Sequence, residues 1–173
     1  MNLYNSFSSV IDINGLGCPK DISLLLHKYP YWIQLHTSQI VYMPANKPPI
    51  KDANSINLHI NILQTKVIKT PISNENLEGK ILTGRKLIIE GQICVKIVYT
   101  ALNDSKSIHS YDFYIPFSSY IVVPKSIILN EKKTDSFYID YNVDTCIEDF
   151  SIQKIEDNCL LVNITLLILA IPI

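Results

Sequence analysis

The segment Gly79-Lys80-Ile81-Leu82-Thr83-Gly84-Arg85-Lys86 has the glycine spacing of a phosphate-binding loop. Such a loop needs Lys and then Ser or Thr directly after its second glycine, so that an ammonium reaches the phosphates and a hydroxyl reaches magnesium. Arg85 and Lys86 stand there instead, and an apolar alternating segment follows where a helix N-terminus would have to hold the phosphate. Nucleotide binding is therefore not expected. Asp140, Asn142, Asp144 and Glu148 offer hard oxygen ligands at spacings that resemble the opening of a calcium loop. Thr145 then occupies the place that requires glycine, and Ser151 that of the bidentate glutamate, so these side chains read as the solvent side of a strand.

His27, His36, His59 and His109 include no pair four residues apart, and no Gly-x-Ser-x-Gly elbow occurs, so they read as surface or capping histidines. Cys18, Cys94, Cys146 and Cys159 form no Cys-x-x-Cys pair and have no histidine at zinc-finger spacing. Buried reduced thiols are expected, with disulfides within or between chains as the alternative. Tyr29, Tyr31 and Trp32 form an aromatic cluster suited to a sugar or peptide, although packing of the N-terminal segment on the core is the expected use. The expectation is thus a non-enzyme with no catalytic, cofactor-binding or metal-binding residue and no cofactor.

The elements that would position any site follow from composition. The chain has 173 residues, 47 % hydrophobic and 18 % charged, with a net charge of −1. That length supports one sizeable core, and the charge balance gives no basic field for nucleic acid or anionic lipid. Twenty-nine isoleucines against four alanines favour strands over helices. The expected fold is all-β: an antiparallel two-sheet sandwich or partly open barrel with a short N-terminal helix. Residues 1–9 carry no Lys or Arg, so no signal peptide is expected. The apolar run at 160–173 has 14 residues, too short to span a bilayer, so it reads as a buried strand and no transmembrane segment is expected.

Residues 1–20 read as a loose N-terminal arm, and 21–173 as a single β domain. Asp21 is placed to cap a short helix confined to about residues 20–29, and Pro30 limits it. A strand is expected over 32–43, then a linker marked by Pro44 and Lys47-Pro48-Pro49. Leu58, Ile60 and Ile62 alternate with His59 and Asn61 in a strand reaching about Ile68, closed by Thr70-Pro71 and the polar connection Ser73-Asn74-Glu75-Asn76. The clearest strand puts Leu87, Ile89, Gly91, Ile93, Val95, Ile97, Tyr99 and Ala101 on one face, with Gly91 permitting a bulge or a close backbone approach. A turn at Asn103-Asp104-Ser105-Lys106 leads to a strand carrying Tyr111, Phe113, Ile115 and Phe117, ending at Pro116 or shortly after. A further pattern runs from Phe137 to Ile155, and Glu156-Asp157-Asn158 turns it into a final strand from Cys159 to Ala170. Segments 86–101 and 158–171 read as corresponding strands of two half-domains. Residues 45–106 carry a net +4 and residues 131–157 a net −5, which permits head-to-tail association but equally suits two solvated faces.

The stretch Leu77-Glu78-Gly79-Lys80-Ile81-Leu82-Thr83-Gly84-Arg85-Lys86-Leu87-Ile88-Ile89-Glu90-Gly91, followed by Lys96-Ile97-Val98-Tyr99, resembles the central motif of the SPOCS domain, the domain of clostridial spore-coat morphogenetic proteins. Trp32-Ile33-Gln34, Pro44, Lys47-Pro48 and Val67-Ile68-Lys69-Thr70-Pro71 upstream are similar to the same pattern. So are His109-Ser110, Pro116-Phe117-Ser118 and Ile121-Val122-Val123-Pro124 downstream. The similarity covers about residues 30–170, and its glycines, prolines and aliphatics specify a fold and carry over no catalytic residue.

The resemblance implies a non-enzymatic structural or scaffolding protein of the endospore envelope, in coat or exosporium, acting by self-assembly or by binding a coat morphogenetic partner. It implies residence in the mother-cell cytoplasm during sporulation and then in the coat or exosporium. Intermolecular disulfides, through Cys18 or another exposed thiol, belong to the same expectation. The chain ends at Ile173 with no room for the C-terminal LysM module of one family architecture, so LysM-mediated glycan binding is not implied. A ligand-, glycan- or peptide-binding β module is the alternative.

Overall fold

The computed structural model describes Phe7 and residues 11–73, 81–103 and 105–173. In chain order the elements are β1 (Asp12–Asn14), α1 (Ile22–Lys28), β2 (Trp32–Tyr42), β3 (Ile50–Ser73), β4 (Leu82–Ala101), β5 (Ile108–Val122), β6 (Ser126–Leu129), β7 (Lys132–Asp135), a 3-10 turn (Ser136–Tyr138), β8 (Tyr141–Glu156) and β9 (Cys159–Pro172). One sheet has the order β1-β3-β4-β5, a second β2-β9-β8, and β6 and β7 form a separate hairpin. All of these pairings are antiparallel except the parallel β1–β3 pair. This is the all-β sandwich expected, and it is not a closed barrel.

The apolar face of β4 supplies the middle of the core: Leu87, Ile89, Ile93, Val95, Ile97, Tyr99 and Ala101 are all buried. Opposite them, β9 buries Leu160, Val162, Ile164, Leu166, Ile168 and Ala170, and the two sets, apart from Ala101, join in one cluster. Each of the leucine, isoleucine and valine side chains contributes about 1.5–3 kcal/mol by leaving water. β9 is the middle strand of its sheet and β4, with β3, an interior strand of the other. The linker at 43–49 is tied to the β8–β9 turn, where Met43 N donates to Asn158 O and Ile50 N to Asp157 O, each at 2.8 Å.

Several expected boundaries need correction. β3 starts at Ile50 and runs through Thr70-Pro71 to Ser73. Register shifts at 50/52, 53/55, 62/64 and 69/72 let it bend around the core, and they also break the period of two that would have revealed its length. β5 continues past Pro116 to Val122. That proline is tolerated because β5 is an outer strand and needs no donor on its free side. The β6–β7 hairpin was not foreseen; Asn130 and Glu131 turn it with φ of 48° and 64°. The arm is not loose where it is described: β1 pairs with β3, and Gly17 N donates to Ile147 O at 2.8 Å. α1 falls where expected and buries no residue, but the Asp21 side chain makes no cap hydrogen bond. Residues 1–6, 8–10 and 74–80 and Asp104, which include Gly79 and the polar connection after Ser73, lie outside the described residues.

Candidate functional site

The glycine-rich segment that superficially matches a phosphate loop runs directly into β4, so it opens no helix. Gly84 has φ +89°, a left-handed conformation that side chains with a Cβ rarely adopt, and an added Cβ would lie 2.9 Å from Ile72 Cγ1. Directly after Gly84 in β4, Arg85, the single arginine of the chain, is nearly buried. Its Nε and Nη2 donate to the two oxygens of Asp135 at 2.7 and 2.5 Å, and Nη1 donates to Gly84 O at 2.7 Å. This two-point fork anchors the end of β7 to the start of β4. Around it the Thr83 hydroxyl donates to Val123 O, Ser136 Oγ donates to Pro124 O at 2.5 Å, and Lys69 Nζ sits 4.5 Å from the centre of the Phe137 ring. The Arg85 hydrogen bonds and the Phe137 N–H hold the Asp135 carboxyl well below the usual carboxylate range. Arg85 itself is raised, chiefly by its hydrogen bond to Asp135. The constellation is a structural clamp whose donors are already engaged.

Gly91 serves a different need. A Cβ there would lie 2.5 Å from Phe117 Cζ and 2.8 Å from Asn61 O, and the β3 register shift at 62/64 lies directly opposite. The close approach read from the sequence therefore holds at Gly91, whereas the bulged residue lies across from it on β3 and not on β4.

On one side of the sandwich the arm joins the two sheets covalently. Cys18 and Cys146 form a disulfide within the chain, with Cα atoms 5.1 Å apart. This corrects the reduced-thiol expectation for these two residues and engages Cys18, the thiol expected to bridge subunits. Cys159 is buried and free, whereas Cys94 is free and half-buried.

Cys94 lies in a concavity of about 450 Å3 on the outer face of the β3-β4-β5 sheet. Strand register sets three rows across it: Asn57, Lys96 and Asp112; His59, Cys94 and Tyr114; Asn61, Gln92 and Pro116. Asn61 Nδ2 approaches Cys94 Sγ at 3.3 Å. Lys96 and Asp112 balance in charge, the carboxamides present donors and acceptors, and Tyr114 offers an exposed ring. Such a surface can hold a neutral polar molecule. Sequence reading missed it because its members come from three strands; the polar positions alternating within β3, β4 and β5 were the only signal.

On the side opposite the disulfide, β2 and β5 flank two smaller clefts. One, about 320 Å3, is lined by Pro30, Trp32, Ile33, Ile81 and Tyr120 to Val122, and the other, about 370 Å3, by Gln39 to Tyr42 and Tyr111 to Tyr114. Trp32 of the aromatic cluster thus lies at a cleft, while Tyr31 packs against the core.

The remaining sequence candidates stay apart. His36 Nδ1 meets Thr165 Oγ1 at 3.3 Å, and His109 Nε2 meets Ser107 Oγ at 2.9 Å while its ring stacks on Tyr99. Asn142 Nδ2 donates to Asp144 Oδ1 at 3.2 Å along β8. Among the described residues no group of three or more His, Cys, Asp or Glu side chains is placed to hold a metal, and no helix is long and apolar enough to cross a membrane.

Comparison with known families finds one match, the family described as SipL, SPOCS domain, over residues 49–155. The matched region runs from the start of β3 almost to the end of β8 and contains Gly84, Arg85, Gly91 and Asp135. No curated protein and no solved structure matches the chain.

Proposed function

The chain belongs to the SipL SPOCS-domain family, and on that footing we propose that it is a non-enzymatic structural or scaffolding protein of the bacterial endospore envelope. In this reading it acts in the coat or exosporium, by self-association or by binding a coat morphogenetic partner. The family match carries the proposal. The use of Gly84, Arg85 and Gly91 supports it, since these residues serve backbone geometry and a clamp between elements. The test is a fluorescent fusion followed through sporulation. Signal gathering at the forespore and then in the outer spore layers is expected. A signal that stays diffuse in the mother cell, with an unaltered envelope when the protein is deleted, refutes the proposal.

The concavity around Asn57, Asn61, Gln92 and Tyr114 favours a second reading, a module that holds a neutral polar ligand such as a glycan. A thermal shift on adding spore-envelope glycan fragments, abolished by Tyr114→Ala and Asn61→Ala, would select it.

A further inference from the structure

The outer strands of the two main sheets are β1 and β5 in one and β2 and β8 in the other. An outer strand presents a row of unpaired N–H and C=O groups, and proteins blunt such edges by brevity, proline, charge, bulges or a covering segment. β1 is only three residues long. In β5, Val123 N donates to Arg85 O in register with the ladder, so odd-numbered residues face β4 and even-numbered ones face outward. Pro116 therefore removes a donor from the free side. β8 carries Asp144, Glu148, Asp149 and Glu156, has two register shifts, and is bridged at Ile147 by the arm.

Among the described residues β2 carries no proline, charge or bulge, and β5 lies beside it across the two clefts described above. The eleven residues of β2 include no Asp, Glu, Lys or Arg, and its register with β9 is unbroken. Ala170 N donates to Tyr31 O and Met43 N to Asn158 O, so odd-numbered positions face β9. The backbone groups of Trp32, Gln34, His36, Ser38, Ile40 and Tyr42 therefore point to the open side. Three of those side chains are large and apolar, with Trp32 47 %, Ile40 49 % and Tyr42 67 % exposed.

We propose that β2 is a self-pairing edge: two copies of this chain join β2 to β2 in antiparallel fashion about a two-fold axis at Thr37, merging their β2-β9-β8 sheets into one continuous sheet. This rests on the self-association arm of the proposed function and names its contact. The register pairs Trp32 with Tyr42, Gln34 with Ile40 and His36 with Ser38 of the second copy. All of these are outward-facing positions, so each pair exchanges two backbone hydrogen bonds. The exposed rings of Trp32 and Tyr42 then cover each other, an aromatic cross-strand pair. The register favours a second copy as occupant, because an identical strand lays each exposed Trp32 on an exposed Tyr42 and brings no charge against the uncharged β2, whereas self-pairing of β8 would bring its acidic residues together. The pairing is isologous and closes as a dimer. It would run over roughly 36 Å at about 3.3 Å per residue.

The test is sedimentation of the full chain across concentration. A dimer in the micromolar range is expected. Ser38→Pro removes an outward N–H that the fold does not use, and Ile40→Lys places a charge on the edge; each should weaken dimerisation at least about tenfold in Kd. Ile155→Lys, at an exposed position of β8, should leave dimerisation unchanged. Circular dichroism and melting at monomeric dilution should match the native chain, and if Ser38→Pro misfolds, Ile40→Lys decides. Association that persists in both β2 variants places the contact elsewhere and overturns the inference while leaving self-association standing. A native chain that stays monomeric at about a hundredfold higher concentration overturns it as well. The proposed function is then judged by location in the sporulating cell.

Discussion

Reducing the Cys18–Cys146 bond should cost this protein a large share of its stability. The two residues are 128 positions apart, so the bond restrains most of the unfolded chain. Closing a loop of that length removes about 5 kcal/mol of conformational freedom from the unfolded state on the chain-entropy account. At about 2–4 °C per kcal/mol for a domain of this size, the melting temperature should fall by about 10–20 °C. The urea midpoint should drop by about 2–3 M for a slope of about 2 kcal/mol per M. The assay is parallel unfolding of one preparation with and without a dithiol reductant, which takes up the bond as its own cyclic disulfide and leaves two thiols on the chain. Hydrogen exchange should locate the first effect: β1 and the Gly17–Ile147 contact lose protection, while the β4 core does not. Cys94→Ser should leave the reductant effect intact, since Cys94 is a free thiol. Equal midpoints with and without reductant would refute the reasoning. So would a covalent dimer on a non-reducing gel that Cys18→Ser abolishes, because Cys18 would then pair between chains.

Gly84→Ala should cost about 1–2 kcal/mol for the left-handed backbone alone, and Ile72→Ala should not restore it, because relieving the 2.9 Å contact leaves φ unchanged; full rescue in urea unfolding would show that crowding was the sole cause. Gly91→Val should be worse, about 3 kcal/mol or more, since its Cβ would meet Phe117 Cζ at 2.5 Å and Asn61 O at 2.8 Å, and a native-like midpoint would argue against the close approach. The lowered Asp135 carboxyl favours the folded state in its charged form. Its contribution is therefore full above about pH 5, beyond the unfolded value near 3.9, and is withdrawn as pH falls toward the lower folded value. Asp135→Asn should flatten that acid limb in exchange protection of β6 and β7, and identical limbs in the two proteins would count against the clamp.

The sequence by itself determined the class of fold, because a period of two sustained along β4 and an apolar run of strand length at β9 admit few other structures. Leu87, Ile89, Ile93, Val95, Ile97, Tyr99 and Ala101 point inward wherever the strand sits, so their burial was legible without a partner. The turns at Asn103 and Glu156 were legible for the same local reason. The membership itself was readable because the motif around Gly84 is contiguous.

Tertiary structure decided everything that depends on segments meeting across the chain. The partner of Arg85 lies 50 residues away at Asp135, and that of Cys18 lies 128 residues away at Cys146; no local pattern encodes either distance. The bends of β3 hid its length, since each bulge shifts the side-chain alternation by one residue. Pro116 shows the limit most directly. A proline reads as a strand terminator until the fold reveals that its nitrogen faces the free side of an outer strand, and only sheet order decides which strand is outermost. The concavity on the β3-β4-β5 sheet and the outer edge of β2 arise in the same way, from which strands lie side by side. That order is set by the sum of core packing over the whole chain, and no single segment carries it.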